Sequence, residues 1–291
     1  MAKKKFKLRK SHHINRSFGG DMAINIILII FGCFMFLPMV YAISQSLKPL
    51  DELWMFPPRF LVRNPTLKNF GDLFKLMSTS WVPFSRYIFN TALVSVAGTF
   101  GHLFLASMAA YALTKIPFPG RKGMFWMIQK SLMFHQTVAS ISNYIIMSAL
   151  GWIDTYWALI VPAFGSTLGL YLMKQFMETT VPDSVLESAR LDGARETTIY
   201  WTIVMPMVKP AWLTLIVYSF QGLWNMGSSV YIYSEELKTF NYAIGQILAG
   251  GIVRSGAAAA STVIMMLVPI TVFVITQSNI IETMASSGMK D

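Results

Sequence analysis

The chain has 291 residues, 54% of them apolar and only 13% charged, with a mean hydropathy of +0.50. A soluble domain with that balance lacks the polar residues to wet its surface, so composition excludes a water-soluble globule and points to a polytopic membrane protein in contact with lipid. The net charge of +10 would suit a nucleic-acid partner, but seven of the 24 basic residues precede the first apolar run and others, such as Lys115, Arg121 and Lys122, flank later ones, which is the distribution of membrane topology.

Residues 1–21 form a basic tail, opening "MAKKKFKLRKSHHINR", that favours a cytoplasmic N-terminus. A span needs about 20 apolar residues to cross a hydrocarbon core of roughly 30 Å. The first expected span, Met22–Ser46, is too long for a signal-peptide core and lacks a small-residue cleavage site. It carries Cys33, the one cysteine, so no intrachain disulfide forms. "IFGC" has the outline of a lipoprotein cleavage site, yet the run continues as "FMFLPMVYAI" and Phe31 is bulky where such sites take small residues. The segment that follows holds Lys48, Arg59, Arg63, Lys68 and Lys75 against Asp51, Glu52 and Asp72, an excess that runs against charge counting for an external loop.

Further spans are expected at Phe84–Thr114, Gly123–Ala149, Tyr156–Met177, Val208–Val230 and Ala259–Thr283, giving an all-α domain over 22–283. Six helices place both termini, including the short tail 284–291, on the cytoplasmic side. The third span carries "FHQTVASISNY", with His135 and Asn143. The fifth carries "SFQGLWN", with Phe220, Gln221, Trp224 and Asn225. Amide, imidazole and aromatic groups together suit a sugar, whose hydroxyls take polar partners and whose apolar faces stack on rings. The competing reading is interhelical hydrogen bonding, since Asn and Gln commonly join neighbouring spans. His135 has no second His, Cys or acid near it, which disfavours a metal site or proton relay.

Between the fourth and fifth spans lies the longest expected internal loop, about 179–210, with "ESARLDGARETTIYWTIVMPMVKP". Pro182 suits a first helical position, and Ser184 with Glu187 has capping-box spacing. Leu186, Ala189 and Gly193 fall on one helical face, and Asp192-Gly193 reads as a bend between two short helices ended by Pro206 and Pro210. Ala189, Gly193 and Ala194 leave little bulk, so another surface can approach the backbone. Glu187 is read as a partner contact, or else as a cap or a mate for Arg190.

"E-S-A-R-L-D-G-A", five residues, then "Y-W-T-I-V-M-P-M-V-K-P" is similar to the EAA loop of ABC importer permeases, E-A-A-x-x-D-G-A, five residues, F-x-x-I-x-L-P-x-x-x-P. Ser188, Tyr200 and Met205 are the departures. The resemblance extends to the maltose-type, binding-protein-dependent sugar permeases through "SLKPLDELWMFPPRFLVRNPTLKNF", "FNTALVSVAGTFGHLFLASMAAYALTKIPFPGRK" and "YSFQGLWN". Many relatives carry prolines near Gln136 and Ser142 that are absent here.

The resemblance implies a type I importer permease fold in the cell membrane. This half would pair with a second, homologous half, two cytoplasmic ATPase subunits and an extracellular solute-binding protein. The loop would be the coupling helix, with Glu187, Ala189, Asp192, Gly193 and Ala194 against an ATPase subunit. Phe220, Gln221, Trp224 and Asn225 would lie along the path of an oligosaccharide, with His135 and Asn143 nearby. The chain has no G-x-x-x-x-G-K-[ST] motif, so it is expected to bind no cofactor itself, with ATP and Mg²⁺ held by the partner ATPases. Two alternatives remain. One is a permease for a peptide, phosphate or amino acid. The other is an ion-coupled secondary transporter, which expects buried ionisable groups; Lys130 and Lys174 instead lie near span ends where their stems can snorkel.

Overall fold

The computed structural model describes residues 18–78, 82–134, 136–227 and 229–287. Most of the basic tail, His135 and the last four residues lie outside that description. No strand occurs among the described residues, as expected where lipid offers the backbone no partner and each helix must close its own hydrogen bonds. In chain order the helices are α1 (Phe18–Leu47), α2 (Leu50–Leu53), α3 (Lys68–Ser78), α4 (Phe84–Lys115), α5 (Arg121–Ser131), α6 (Gln136–Ala149), α7 (Trp157–Phe164), α8 (Thr167–Thr180), α9 (Asp183–Leu191), α10 (Glu196–Thr198), α11 (Met205–Met207), α12 (Lys209–Trp224), α13 (Phe240–Ala249) and α14 (Ser255–Ser287). A π-helical stretch, Ile199–Val204, joins α10 to α11.

Four stretches are long and apolar enough to cross a membrane: Gly19–Leu47, Phe84–Lys115, Trp157–Thr180 and Ile252–Gln277. Glu196–Met207 with Lys209–Trp224, bent by 79°, makes a fifth when taken as one span. The all-α class stands, with three differences in detail. The third expected span, Gly123–Ala149, is divided into α5 and α6, because α5 carries Arg121, Lys122, Gln129 and Lys130 and ends before Leu132. The fifth stops at Trp224 and not at Val230, since the next residues, "NMGSSV", hold little apolar surface to bury. Two amphipathic helices, α3 and α13, stand in segments expected to be loops, each burying one face such as Leu73 and Met77 or Phe240, Ile244 and Ile247.

α4 is the axis of the bundle, packed on α12, α8 and α7, while α14 packs on α1, α12 and α3. Apolar clusters sit at both ends and between them. At the end bearing the 181–208 segment, Ala106, Ala110 and Tyr111 of α4 meet Met173, Met177, Leu186, Ile199 and Val204. At the far end Leu73, Tyr87, Trp224, Phe240 and Ile244 pack together. Val94, Leu159 and Leu223 fill the middle. α1 is apolar on every side and leaves Leu28, Phe34 and Met35 exposed, the surface a lipid-facing helix presents.

The far end of α4 is tied by polar groups. Asn90 donates through Nδ2 to the Glu236 and Lys238 carbonyls, 2.8 Å each, and its Oδ1 accepts from the Tyr156 hydroxyl at 2.6 Å. Tyr87 donates to Glu235 Oε1 at 2.7 Å, and Thr91 Oγ1 accepts from the Phe240 amide. Asp154 binds the amides of Tyr233 and Ser234 and the Ser234 hydroxyl; these bonds, that hydroxyl's foremost, hold its carboxyl below the usual range.

Helix contact in the middle depends on small residues. Buried His102 of α4 has Nδ1 3.1 Å from the Phe164 carbonyl, which requires the proton on Nδ1, and its Nε2 faces Gly169 of α8. A Cβ on Gly169 would fall 2.1 Å from that Nε2 and 2.6 Å from Leu215 Cδ1. Gly169→Val is therefore expected to push α8 off α4 and α12 and to cost about 1–3 kcal/mol by overpacking. Thermal unfolding in detergent measures this, and an unchanged midpoint would refute the close approach.

Candidate functional site

The 181–208 segment is a bent pair of short helices. α9 begins after Pro182, which stands at the N-cap with φ −68° and ψ 137°, not inside the first turn. No side chain caps α9, so the expected Ser184–Glu187 box is absent: the helix already begins at Asp183, which places Ser184 inside its first turn, where its carbonyl accepts from the Ser188 hydroxyl. Asp192 closes the helix and Gly193 follows at φ +80°. The Gly193 amide donates to the Arg190 carbonyl and the Ala194 amide to the Ala189 carbonyl, both at 3.0 Å. That crossed pair is the Schellman ending, whose left-handed residue is normally glycine. Nothing lies within 4 Å of a Cβ built on Gly193, so backbone conformation and not crowding accounts for the glycine within this chain.

Leu186 and Ala189 are buried against the bundle, while Glu187 and Asp192 are exposed, Ala194 is half-buried and Leu191 is 90% exposed. The alternative reading of Glu187 as a mate for Arg190 is not realised. Arg190 turns to Glu196, with Nε 2.6 Å from Oε1, because the Gly193 bend brings α10 back beside α9.

Three residues of α4 meet this segment with polar groups, and sequence reasoning assigned none of them to it. Ser107, Tyr111 and Lys115 stand at i, i+4 and i+8, hence on one helical face. The Ser107 and Tyr200 hydroxyls are 2.7 Å apart. Tyr111 donates to Glu196 Oε2 at 2.6 Å. Lys115, its side chain 4% exposed, places Nζ 2.5 Å from the Val181 carbonyl and 2.8 Å from Asp183 Oδ1. The hydrogen bond and charge of Lys115 lower the Asp183 pKa, and bonds from Arg190 and then Tyr111 lower that of Glu196. The sequence signal was the spacing itself, which only a folded partner makes meaningful.

At the end of α12, which Asn225 closes, the four expected residues divide between two faces. Phe220 and Trp224 are buried and stacked, ring centroids 5.6 Å apart at 17°, and Trp224 Nε1 donates to the Met265 carbonyl of α14 at 3.1 Å. Gln221 and Asn225, also one turn apart, are exposed, and Gln221 borders a cavity of about 190 Å³ with Val217, Pro269 and Phe273. Asn143 of α6 is half-buried and apart from that face, next to Tyr144, which stacks on Tyr231 and bonds the Tyr233 hydroxyl at 2.7 Å. Among the described residues no group of three or more His, Cys, Asp or Glu is placed to hold a metal ion.

The family model described as "Binding-protein-dependent transport system inner membrane component" matches residues 123–285. A polygalacturonan/rhamnogalacturonan transport system permease protein of Bacillus subtilis, YtcP, is 28% identical over 222 residues, 76% of this chain and 74% of that protein. An sn-glycerol-3-phosphate transport system permease protein of Yersinia enterocolitica, UgpE, is 29% identical over 235 residues, 80% of this chain and 81% of that one. In fold, the chain is similar to one chain of a bacterial ABC transporter involved in the import of the acidic polysaccharide alginate, with a TM-score of 0.74 at 21% identity, covering 91% of this chain and 98% of that one.

Two outcomes follow from this geometry. Trp224→Ala should cost about 3–5 kcal/mol of stability, while Gln221→Ala and Asn225→Ala should each change it by about 0.5 kcal/mol or less. Equal losses in all three would contradict the two-faced α12. Gly193→Val should strain the α9 ending by about 1–3 kcal/mol, read as faster hydrogen exchange at the amides of residues 193 and 194. Unaltered protection there would count against the Schellman ending.

Proposed function

The chain belongs to the family of binding-protein-dependent transport system inner membrane components, and from that premise we propose that it is the permease half of an ATP-driven importer of oligosaccharides. As a member it is a multi-pass membrane protein and a transport subunit, not the ATPase, and it works with an ATPase and a solute-binding protein. Membership of this family, together with a fold shared with a chain of an ABC transporter, supports the ATP-driven reading over the ion-coupled alternative. The observation that carries the reading is the E-S-A-R-L-D-G-A stretch folded as a short exposed helix, ended at Gly193 and pinned to α4, the most buried of the candidate spans.

In this reading the second permease half is homologous but not identical, and both termini are cytoplasmic. ATP and Mg²⁺ are bound by two partner ATPase subunits. Glu187, Asp192 and Gly193 lie on the surface that meets an ATPase, with Ala189 and Ala194 beneath it. Along the path, Gln221 and Asn225 offer amides to the cargo, while Phe220 and Trp224 hold α12 against α14 so that those amides keep their direction. Asn143 is a second amide near the path, and His135 is proposed there on resemblance alone. The relatives' cargo supports a hydroxyl-rich solute: by name a polygalacturonan or rhamnogalacturonan and sn-glycerol-3-phosphate.

The test is uptake of labelled oligosaccharides by vesicles holding the chain with its partner half, ATPase and binding protein. Uptake should require ATP. Gln221→Ala and Asn225→Ala should each reduce uptake about tenfold, the loss of one or two hydrogen bonds at about 0.5–1.5 kcal/mol each. Uptake driven by an ion gradient without ATP would overturn the function, and wild-type kinetics in both variants would remove α12 from the path.

A further inference from the structure

What gives α9 a fixed direction relative to the membrane? It has nine residues, no side-chain cap, and most of its surface exposed, so it has little intrinsic stability of its own. The chain continuation orients it only indirectly, because α12 leaves the segment through the 79° bend after Met207, which Trp212 Nε1 closes on the Met205 carbonyl at 3.1 Å. Each end of the segment is instead fastened to α4. At its start, Lys115 holds the Val181 carbonyl and Asp183. At its bend, Arg190 spans Glu196 and, through Nη2, the Lys115 carbonyl at 3.4 Å, and Tyr111 takes the other oxygen of Glu196. Past the bend, Tyr200 meets Ser107.

We propose that Ser107, Tyr111 and Lys115 form a polar rail on α4 that makes the 181–208 segment and α4 one rigid body, so that these three are positioning residues for coupling. The inference rests on the reading of that segment as the ATPase contact. Displacement of α9 passes to α4 directly, and from α4 to α7, α8 and α12, which it touches; the covalent route through α12 is secondary. Lys115 has the largest part because it alone of the three buried side chains carries a charge. Both partners of its ammonium, the Val181 carbonyl and Asp183, belong to the segment, so an unseated segment removes both of these charge-assisted hydrogen bonds. Apolar contacts of Leu186 and Ala189 add area but no direction; the rail supplies the register.

The experiment uses the full complex in lipid nanodiscs and vesicles with Tyr111→Phe, which removes one oxygen, Lys115→Met, which keeps the stem, and Lys115→Arg, which keeps the charge. Two quantities are read: hydrogen exchange of amides 183–207, and ATP hydrolysed per solute imported. Lys115→Met should speed exchange about tenfold or more, the scale of a lost charged hydrogen bond, and Tyr111→Phe by severalfold. Both should raise the ATP cost per solute while the ATPase still co-purifies, and Lys115→Arg should return both quantities towards wild type. Unchanged exchange in both Lys115→Met and Tyr111→Phe overturns the rail. Faster exchange with an unchanged ratio reduces it to a local fastening and also overturns the proposal. Where Lys115→Met fails to insert, Tyr111→Phe decides. Should the wild-type complex import no sugar, that failure belongs to the cargo, and exchange with ATPase activity still judges the rail.

Discussion

A lysine ammonium on a nearly buried side chain, with its hydrogen bonds directed at the Val181 carbonyl and at the carboxylate of Asp183 in the first turn of α9, governs how the exposed segment is joined to the bundle. Within lipid there is no hydrophobic force to press helices together, since the tails are as apolar as the side chains, so packing depends on fit and on polar contacts that have nowhere else to go. Lys115 is such a contact at one end of α4, and Asn90 is its counterpart at the other, with both amide atoms engaged by α7 and the 236–238 segment. α4 is thus held at each water-facing end by groups that lose their partners if the end segments shift. Between the ends, contact rests on shape, with glycine at positions 101 and 169 where Phe164 and His102 press in.

This arrangement explains why the charged block between two apolar segments is ordered despite its exposure. Exposed ion pairs such as Arg190–Glu196 contribute little by themselves, typically about 0–1 kcal/mol. Here the pair is one member of a set that includes a buried cation, a buried tyrosine and the glycine-dependent turn, and each member fixes the geometry the next requires.

Membrane character, helical class and the bend at Asp192-Gly193 were legible in the sequence because each rests on local chemistry: apolar length, or a residue whose φ is restricted. The α12 quartet was legible as a set but not as two faces, since "FQGLWN" shows i, i+4 pairs at 220/224 and 221/225 without saying which pair meets α14. The division of the third segment was missed because its average apolarity conceals Gln129, Lys130 and Ser131 at the end of α5. The pairings of Ser107 with Tyr200 and of Tyr111 with Glu196 were missed for a different reason. Hydrogen bonds between residues 85 to 93 apart leave no periodic trace in one sequence, and Lys115 read as an ordinary flanking charge.

The division of α12 has a consequence for descent. A seam made by Phe220, Trp224 and the Met265 carbonyl is intolerant of change, while the amides one position further on are constrained by nothing in this chain's core. Replacements at 221 and 225 alter what the helix displays without loosening the fold, and under the proposed cargo path a gene of this kind acquires a new diet in single steps, each leaving a protein that still assembles. Selection for cargo and selection for folding then act on adjacent letters of the same turn and do not interfere.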